Sequence, residues 1–556
     1  MRRRLRLVLA GALLAAGCTP TLAAPPPPRP TPPTQPPVPT TAPTTTTTIT
    51  VETTRVIGCE TDFCLVYEIR PEATWSSGAP VTASDFAHTA EVGAAAGLPG
   101  YDLIESAEVL DAATVVVTLE RPYGAWQSLF DRLYPAGGDL ADLPALETTG
   151  PFTFTDWQPG EFVTLERNGS WWAESDPLAG GPPGDVQEVT LVFVSEPAEM
   201  VEGLRSGEVD VIAVRPDAET VAALADLEGV ETSLAPGPFW EHITFHHDDP
   251  VLSRPWAREV ISLAIDREAI LDETVRLIDP SANALANTVW MTGTPHYEQH
   301  FDDGHDPAAA ERLLVENDCE RGDDGIQICE GTRMSFVWAS TNDDPARRAT
   351  FGLVRDDLGA IGIELIAEFV SPSEFVTREF LFGSPDEWQL INFSWRARPD
   401  PGNANATYYC DDAGSLNVAR YCSEEVESLI RSTETLTDPA ERAAVYNEAD
   451  RLYLGDRAVI PLYQKPMLVA WIDELEGPEP NHTLSSNLWN IGSWTGKESI
   501  VVALAEEPDV IDPRSRADDS ANEVLGPLLY GAFGMSPSQE HIPVLVESVE
   551  VIRSGG

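Results

Sequence analysis

Two hydrophobic periodicities take turns along the chain, and that alternation limits the fold more than any other feature. Runs such as CLVYEIR, TVVVTLE, EVTLVFV and ELIAEFV are short and rich in β-branched and aromatic residues, and read as strands. Between them stand stretches with helical spacing, PAAAERLLVEN, GLVRDDLGAIG and DPAERAAVYNEADRLYLG. In the last of these, Asp438 is placed to cap a helix with Pro439 at its first position, and Ala443, Tyr446 and Leu452 fall near one buried face. Alternating strands and helices imply an α/β protein. From residue 49 onward about 500 residues remain, and the chain is 42% hydrophobic with 14 tryptophans. That is enough for roughly two to four domains.

The chain opens differently. Arg2, Arg3, Arg4 and Arg6 precede an apolar run, Leu7 to Ala16, that ends at small residues before Cys18. This is the pattern of a secretory signal, too short to span a bilayer, which takes roughly 20 apolar residues. The ending Leu14-Ala15-Ala16-Gly17-Cys18 resembles a bacterial lipobox, with Ala15 departing from the usual Leu. The resemblance implies a lipidated Cys18 as the mature N-terminus; the alternative is an ordinary secretory signal with an incidental cysteine. Thr19 to Thr48 is almost all Pro, Thr and Ala, a composition that cannot bury a core and favours extended chain, so it reads as a spacer above the membrane. Residues 1–18 are thus expected to be the signal and 19–48 the linker.

The formal charge of −55, from 90 acidic and 35 basic residues, argues against nucleic acid as a partner. Acidic residues are spread through the chain, as on a solvated surface that resists aggregation. The six cysteines after Cys18 fall in close pairs, Cys59 with Cys64, Cys319 with Cys329, and Cys410 with Cys422. In an exported chain these read as three local disulfides. The competing metal reading fits poorly, because the spacings match no zinc pattern and no histidine lies close by in sequence.

Several segments together resemble the family 5 solute-binding proteins, which serve dipeptide, oligopeptide and nickel importers. TWSSGAPVTASDF (Thr74 to Phe86), TTGPFTF with LERNGSWW (Thr148 to Trp172), LRSGEVDV (Leu204 to Val211) and AREVISLAIDREAIL (Ala257 to Leu271) carry the likeness. DPAAAERLL, DDLGAIGIEL and DPAERAAVYNEADRLYLGDRAVIPLY follow in the family's order. These blocks are scaffold: Gly78 and Pro80 set a turn, Ser84 or Asp85 caps the next helix, and Gly207 ends a helix before a short buried strand. The resemblance implies a bilobal, type II periplasmic-binding-protein-like α/β fold with an extra subdomain in lobe one. It also implies a monomer that hands its solute to an ABC permease, with no cofactor. The implied place is the extracytoplasmic face of the cell membrane, held there by the lipid.

The order of the pieces departs from the family. Its opening strand, Asp-Pro segment, helix and tyrosine-containing turn should precede Thr74, yet they match SIVVALAEEPDVIDP (Ser499 to Pro513), NEVLGPLLYGAF and IPVLVESVEVI (Ile542 to Ile552), after the closing tryptophan region Leu488 to Trp494. This order implies a circular permutation, with Thr495 to Ser499 joining the original termini and the Ser554–Gly556 end a cut hairpin. The alternative, a tandem array truncated in its second copy, would need an opening segment before Thr74. The expected parts are a subdomain of 49–149 with 537–556, lobe one of 150–238 with 466–536, and lobe two of 239–465.

Receptors that close two lobes on a solute hold it at the interface between them. By resemblance, INFSWRARPDPGN (Ile391 to Asn403) is the strand and loop that meet a peptide. In the family's peptide receptors the Trp there is followed three residues on by an Asp that pairs with the ligand's amino group; here Trp395 is followed by Arg398. A guanidinium repels an amine and attracts a carboxylate or phosphate. The candidates are therefore Trp395, Arg396 and Arg398, with Asp400 as an alternative amine partner and Tyr530 from the displaced segment. Arg396 and Arg398 read equally as solvated ion-pair partners. His242, His246 and His247 raise a metal reading, against which packing is preferred, and no metal is assigned. A secreted hydrolase or an adhesive surface protein is the rival class, but no Gly-x-Ser-x-Gly, His-Glu-x-x-His or phosphate loop occurs.

Overall fold

The computed structural model describes residues 59, 63–173, 183–410, 416–481, 483, 486–516 and 518–553. The expected signal with Cys18, the expected spacer and Ser554–Gly556 lie outside the described residues. Strands are numbered along the chain.

Local signals produce the elements they imply. Asp438 Oδ1 accepts from Glu441 N at 2.9 Å, and Pro439 opens the helix Pro439–Gly455. Ala443 and Tyr446 are buried on it and Leu452 is half-buried. Gly207, at φ +78°, closes the helix Pro197–Ser206. The expected cap at Ser84 or Asp85 is corrected. The helix Ala83–Ala96 begins after Thr82, and Asp85 is its third residue, where the carboxylate reaches back to accept from Thr82 N at 2.7 Å. A carboxylate at that position closes a capping box, which satisfies the cap's own N–H.

The largest sheet runs β13 (Glu364–Val370), β12 (Ser335–Thr341), β14 (Leu390–Arg396), β8 (Val230–Phe245), β15 (Val459–Ile472), β7 (Val211–Val214), β16 (Ser499–Leu504), β6 (Glu188–Phe193), β5 (Phe162–Arg167) and β4 (Phe152–Gln158). Its centre is the antiparallel pair β8 and β15, 16 and 14 residues long. Two separate cores form along these strands. Ile243, Phe245, Trp338, Tyr446 and Ile460 pack into one, and Val163, Leu191, Val469, Trp494 and Val502 into the other. Two lobes thus share one pair of strands. The expected lobe boundaries, after residues 238 and 465, fall inside that pair, beside register shifts of β15 between Pro461 and Tyr463 and between Gln464 and Pro466.

A second sheet runs β19 (Val546–Arg553), β1 (Phe63–Ile69), β3 (Thr114–Leu119) and β2 (Ile104–Val109). It packs Tyr67, Phe86 and Phe130 into a third core that also takes in Tyr530, Ala532 and Leu545. The C-terminal segment therefore joins this subdomain from Tyr530, earlier than residue 537, because Tyr530 N and O both bond Thr149 Oγ1, at 2.8 and 3.1 Å. Smaller sheets pair β17 (Phe533–Met535) with β18 (His541–Pro543), and β10 (Gln327–Cys329) with β9 (Cys319–Arg321) and β11 (Thr332–Arg333). The three expected disulfides are formed.

The last sixty or so residues are structural centre, not appendage. β16 lies between β7 and β6, parallel to both. Lys497 Nζ meets Asp210 Oδ1 at 2.6 Å, while Asp210 Oδ2 accepts from Val501 N at 2.8 Å. β19 is antiparallel to β1 with Arg553 opposite Phe63, so the last described residue lies beside the start of the first described strand. Removing residues 497–556 takes out an interior strand and an edge strand together. The shortened protein is expected to lose its cooperative thermal transition, as read by circular dichroism.

Candidate functional site

The expected ligand strand, β14, is paired to the shared strand β8 with Trp395 opposite Trp240, Ser394 opposite Glu241 and Phe393 opposite His242. Side chains alternate along a strand, so each face has its own chemistry. One face is aromatic: the His242 ring lies 4.7 Å from Trp240 and 4.5 Å from Phe393, and stacks on Trp395 at 6.3 Å. Leu285 and Met291 pack against Trp240 and Trp395 from the side.

The other face is ionic. Glu241, 1 % exposed, receives Arg347 Nη2 at 2.9 Å, Lys465 Nζ at 3.0 Å and Ser394 Oγ at 3.0 Å. Lys465 also meets Asp344 Oδ2 at 3.1 Å, and Arg347 Nη1 donates to Thr341 Oγ1 at 2.9 Å. Burial alone would push the Glu241 carboxyl up, but the Lys465 ammonium and Arg347 guanidinium outweigh it and hold it at about 2. This cluster escaped the sequence reading. Its only trace was a charge inside each of two apolar runs, WEHITF and IPLYQKP, and nothing local says that the two runs pair.

The predicted site residues separate. Trp395 is half-buried at the lobes' crossing. Arg396 ion-pairs with Asp519, on the helix Asp519–Leu525, and its guanidinium carbon stands 5.7 Å over the Phe239 ring. Arg398 is exposed next to it. Asp400, expected as an amine partner, is instead turned inward and 5 % exposed. Its two oxygens take Arg442 Nη1 and Nη2 at 2.6 and 2.8 Å and one also accepts Gly402 N at 2.7 Å, which leaves no carboxylate for a solute. Tyr530, expected at the site, is instead 6 % exposed within the subdomain core, in one cluster with Phe130 and Leu545.

The histidines serve different partners. His242 Nδ1 shares a hydrogen bond with Thr244 Oγ1 at 2.9 Å, His246 Nε2 with Gly383 O at 3.1 Å and His247 Nε2 with Ala458 O at 3.2 Å. Burial pushes His242 and His247 down to about 3, so both are neutral at ordinary pH. Among the described residues no group of three or more His, Cys, Asp or Glu side chains is arranged to hold a metal.

The subdomain touches lobe two directly across the molecule. Gly124 N donates to Glu434 O at 2.6 Å, Trp126 Nε1 to Thr437 O at 3.3 Å, and Gln539 Nε2 to Pro399 O at 2.9 Å. A Cβ on Gly124 would fall 2.1 Å from Thr433 O.

Two outcomes follow for variants here. Glu241→Gln leaves Lys465 and Arg347 with Asp344 as their one remaining carboxylate partner among the described residues, and is expected to lower unfolding stability by about 3 kcal/mol near neutral pH. Because the folded carboxyl lies below its ordinary 4.5, its contribution is present above that value and is lost as pH falls towards 2. The gap between wild type and variant in denaturant titrations should therefore close over that range. Gly124→Ala should push the subdomain off lobe two, read as faster amide exchange at Glu434 to Thr437 without loss of the three cores.

The comparisons with known proteins agree with this architecture. The oligopeptide-binding protein OppA of Mycobacterium tuberculosis is 26% identical over 437 residues, covering 73% of this chain and 70% of that protein. Among solved structures, the oligopeptide-binding protein AppA from Bacillus subtilis in complex with a nonapeptide matches with a TM-score of 0.56 at 19% identity, over 79% of this chain and 88% of that one. NikZ from Campylobacter jejuni in complex with Ni(L-His) matches with a TM-score of 0.60 at 19% identity, over 78% and 88%. The fold is that of type II periplasmic binding proteins. The family model "Bacterial extracellular solute-binding proteins, family 5 Middle" matches residues 62–416, and the chain belongs to that family.

Proposed function

We propose that this protein captures a peptide or a related small solute outside the membrane and delivers it to an ABC importer, held at the membrane by a lipid on Cys18. The observation that carries the reading is the sharing of β8 and β15 by two lobes, with Trp395 at their crossing, in a chain of the family 5 solute-binding proteins. Lobes joined by a strand pair close on a ligand by bending at the crossing, and the ligand's differential contact with both lobes sets the closed population. The names of the similar proteins, oligopeptide- and dipeptide-binding, support a peptide as the solute.

Three buried carboxylates are already occupied. Glu241 is held by Arg347 and Lys465, Asp400 by Arg442, and Asp450 by Thr288 and by His300 at 2.7 Å. Among the described residues no helix is long and apolar enough to cross a membrane. A lipid on Cys18 would supply the attachment, and Cys18→Ser is expected to move the protein from the membrane fraction to the medium or periplasm.

The chain order fits a circular permutation. Thr495 to Ser499 would be the fused join, and the pairing of Arg553 with Phe63 supports a hairpin opened at that point. Opening the chain at Gly496 and joining Arg553 to Phe63 through a short turn should give a protein of equal stability.

The direct test is mass spectrometry of small molecules released on denaturing the purified 49–556 protein. Peptides or similar solutes at near-stoichiometric yield are expected, and Trp395→Ala should lower the yield. An empty wild-type protein that also binds nothing added, together with unimpaired uptake in a deletion strain, would sink the reading.

A further inference from the structure

The crossing of the lobes carries a patch of positive charge in a protein whose formal charge is −55. Phe239, opposite Arg396 in the β8–β14 ladder, has the Arg396 guanidinium carbon 5.7 Å from its ring centroid and that of Arg215 at 5.9 Å. Arg215 follows directly on β7, and Arg398 follows β14 by two residues. Two guanidinium groups, Arg215 and Arg396, thus stand over one aromatic ring where strands from both lobes meet, and Arg398 lies close enough to Arg396 to feel its charge.

Two of these three guanidinium groups have no carboxylate in contact among the described residues. Arg396 has Asp519. Apart from the ring contact of Arg215, no hydrogen bond or ion pair engages the side chain of Arg215 or Arg398 among the described residues, and both are exposed. The nearest carboxylates in sequence are committed elsewhere: Asp400 to Arg442, and Asp217 to Thr220 N at 2.7 Å as a helix cap. With 90 acidic residues for 35 basic ones, most guanidinium groups in such a chain find a carboxylate, and Arg205, Arg254, Arg276, Arg333 and Arg451 do. Arg398 has a like charge beside it: partial burial and the neighbouring Arg396 depress its proton affinity, and Asp519, already paired with Arg396, offsets only part of that. An anion placed between them removes that repulsion, and a planar oxyanion matches a guanidinium in two hydrogen bonds at once.

The segment that carries Arg398 is also clasped by the opposite lobe. Asp519 holds Arg396 on one side, and Gln539 holds Pro399 O at 2.9 Å on the other. Gln539 stands at φ +60° and its Oε1 is buried without a partner.

We infer that the solute is anionic, and that Arg398 and Arg215, steadied by Arg396 and the Phe239 ring, grip its carboxylate or phosphate at the crossing of the lobes. This rests on the receptor reading above and names the class of solute for that site. The grip draws on charge in a strongly negative molecule, so it also rejects cations and neutral analogues, and it weakens as salt rises.

The test uses three probe pools on the 49–556 protein: short peptides as free acids, the same peptides as C-terminal amides, and sugar monophosphates. Binding is measured by titration calorimetry at low and high salt. Free acids or phosphates should bind about ten- to a hundred-fold more tightly than amides, the loss of one charge-assisted pair. Which of the two pools binds identifies the source of the oxyanion. Arg398→Gln and Arg215→Gln should each erase most of that preference while the melting temperature stays within error, since both side chains are exposed. Equal binding of acids and amides, or a preference that survives both substitutions, overturns the anion inference and leaves the receptor reading standing. Binding of none of the pools, joined to an empty wild-type protein in the release experiment, overturns both.

Discussion

Everything in this protein hangs on the pairing of β8 with β15. Two strands of 16 and 14 residues run through both lobes, so each lobe's sheet is completed by the same pair of chains. The cores on either side are separate, and the strands between them are irregular where β15 shifts register at Pro461 and again at Gln464. A proline cannot donate to the ladder, and a shift of register breaks the ladder locally. The sheet is therefore weakest against bending at the place where the two lobes join, and it is there that β14 adds Trp395 and the arginines. Gln464 Nε2, bonded to Gly237 O at 2.6 Å, bridges the two strands at that point in place of the missing backbone bond.

Buried charge organises the neighbourhood of that crossing. Glu241 with Arg347, Lys465 and Asp344, and Asp400 with Arg442, are ion pairs removed from water, whose desolvation cost offsets much of their attraction. Their value lies in position. Glu241 ties β8 to β15 through Lys465 and to the helix Pro345–Ala360 through Arg347. Asp400 fixes the loop after β14 to the helix Pro439–Gly455. The strand and loop that carry Trp395, Arg396 and Arg398 are thus anchored at both ends by buried ion pairs.

The sequence reveals what is local and conceals what is not. Asp438 and Pro439 announce a helix because a cap acts within one turn, and Cys319 and Cys329 announce a bridge because they lie a few residues apart in an exported chain. The cap at Thr82 was displaced by a few residues, since Thr, Ser and Asp all stand in that stretch and only the geometry selects among them. Asp400 looked like a free carboxylate beside the ligand strand because its partner, Arg442, is on a helix that nothing in the local spacing brings near. Arg215 carries no local signal for the same reason: its place beside Phe239 depends on β7 and β8 reaching the same end of the crossing. The alternation of strand and helix was enough for the class of fold, and ordered blocks were enough for the family, but ion pairing across hundreds of residues has no period to read.

The disulfide between Cys59 and Cys64 acquires a mechanical meaning from the sheet around it. Cys64 lies inside β1, flanked by β19 and β3. A pull on the chain ahead of Cys59 passes through the sulfur bridge and enters the sheet at Cys64, not at the strand's free beginning. Force applied there runs along strands that are bonded on both sides, so the ladders resist in shear and share the load across several bonds. The first described strand is thereby protected against being peeled away one hydrogen bond at a time, and its neighbour in that resistance is β19, hundreds of residues away in sequence.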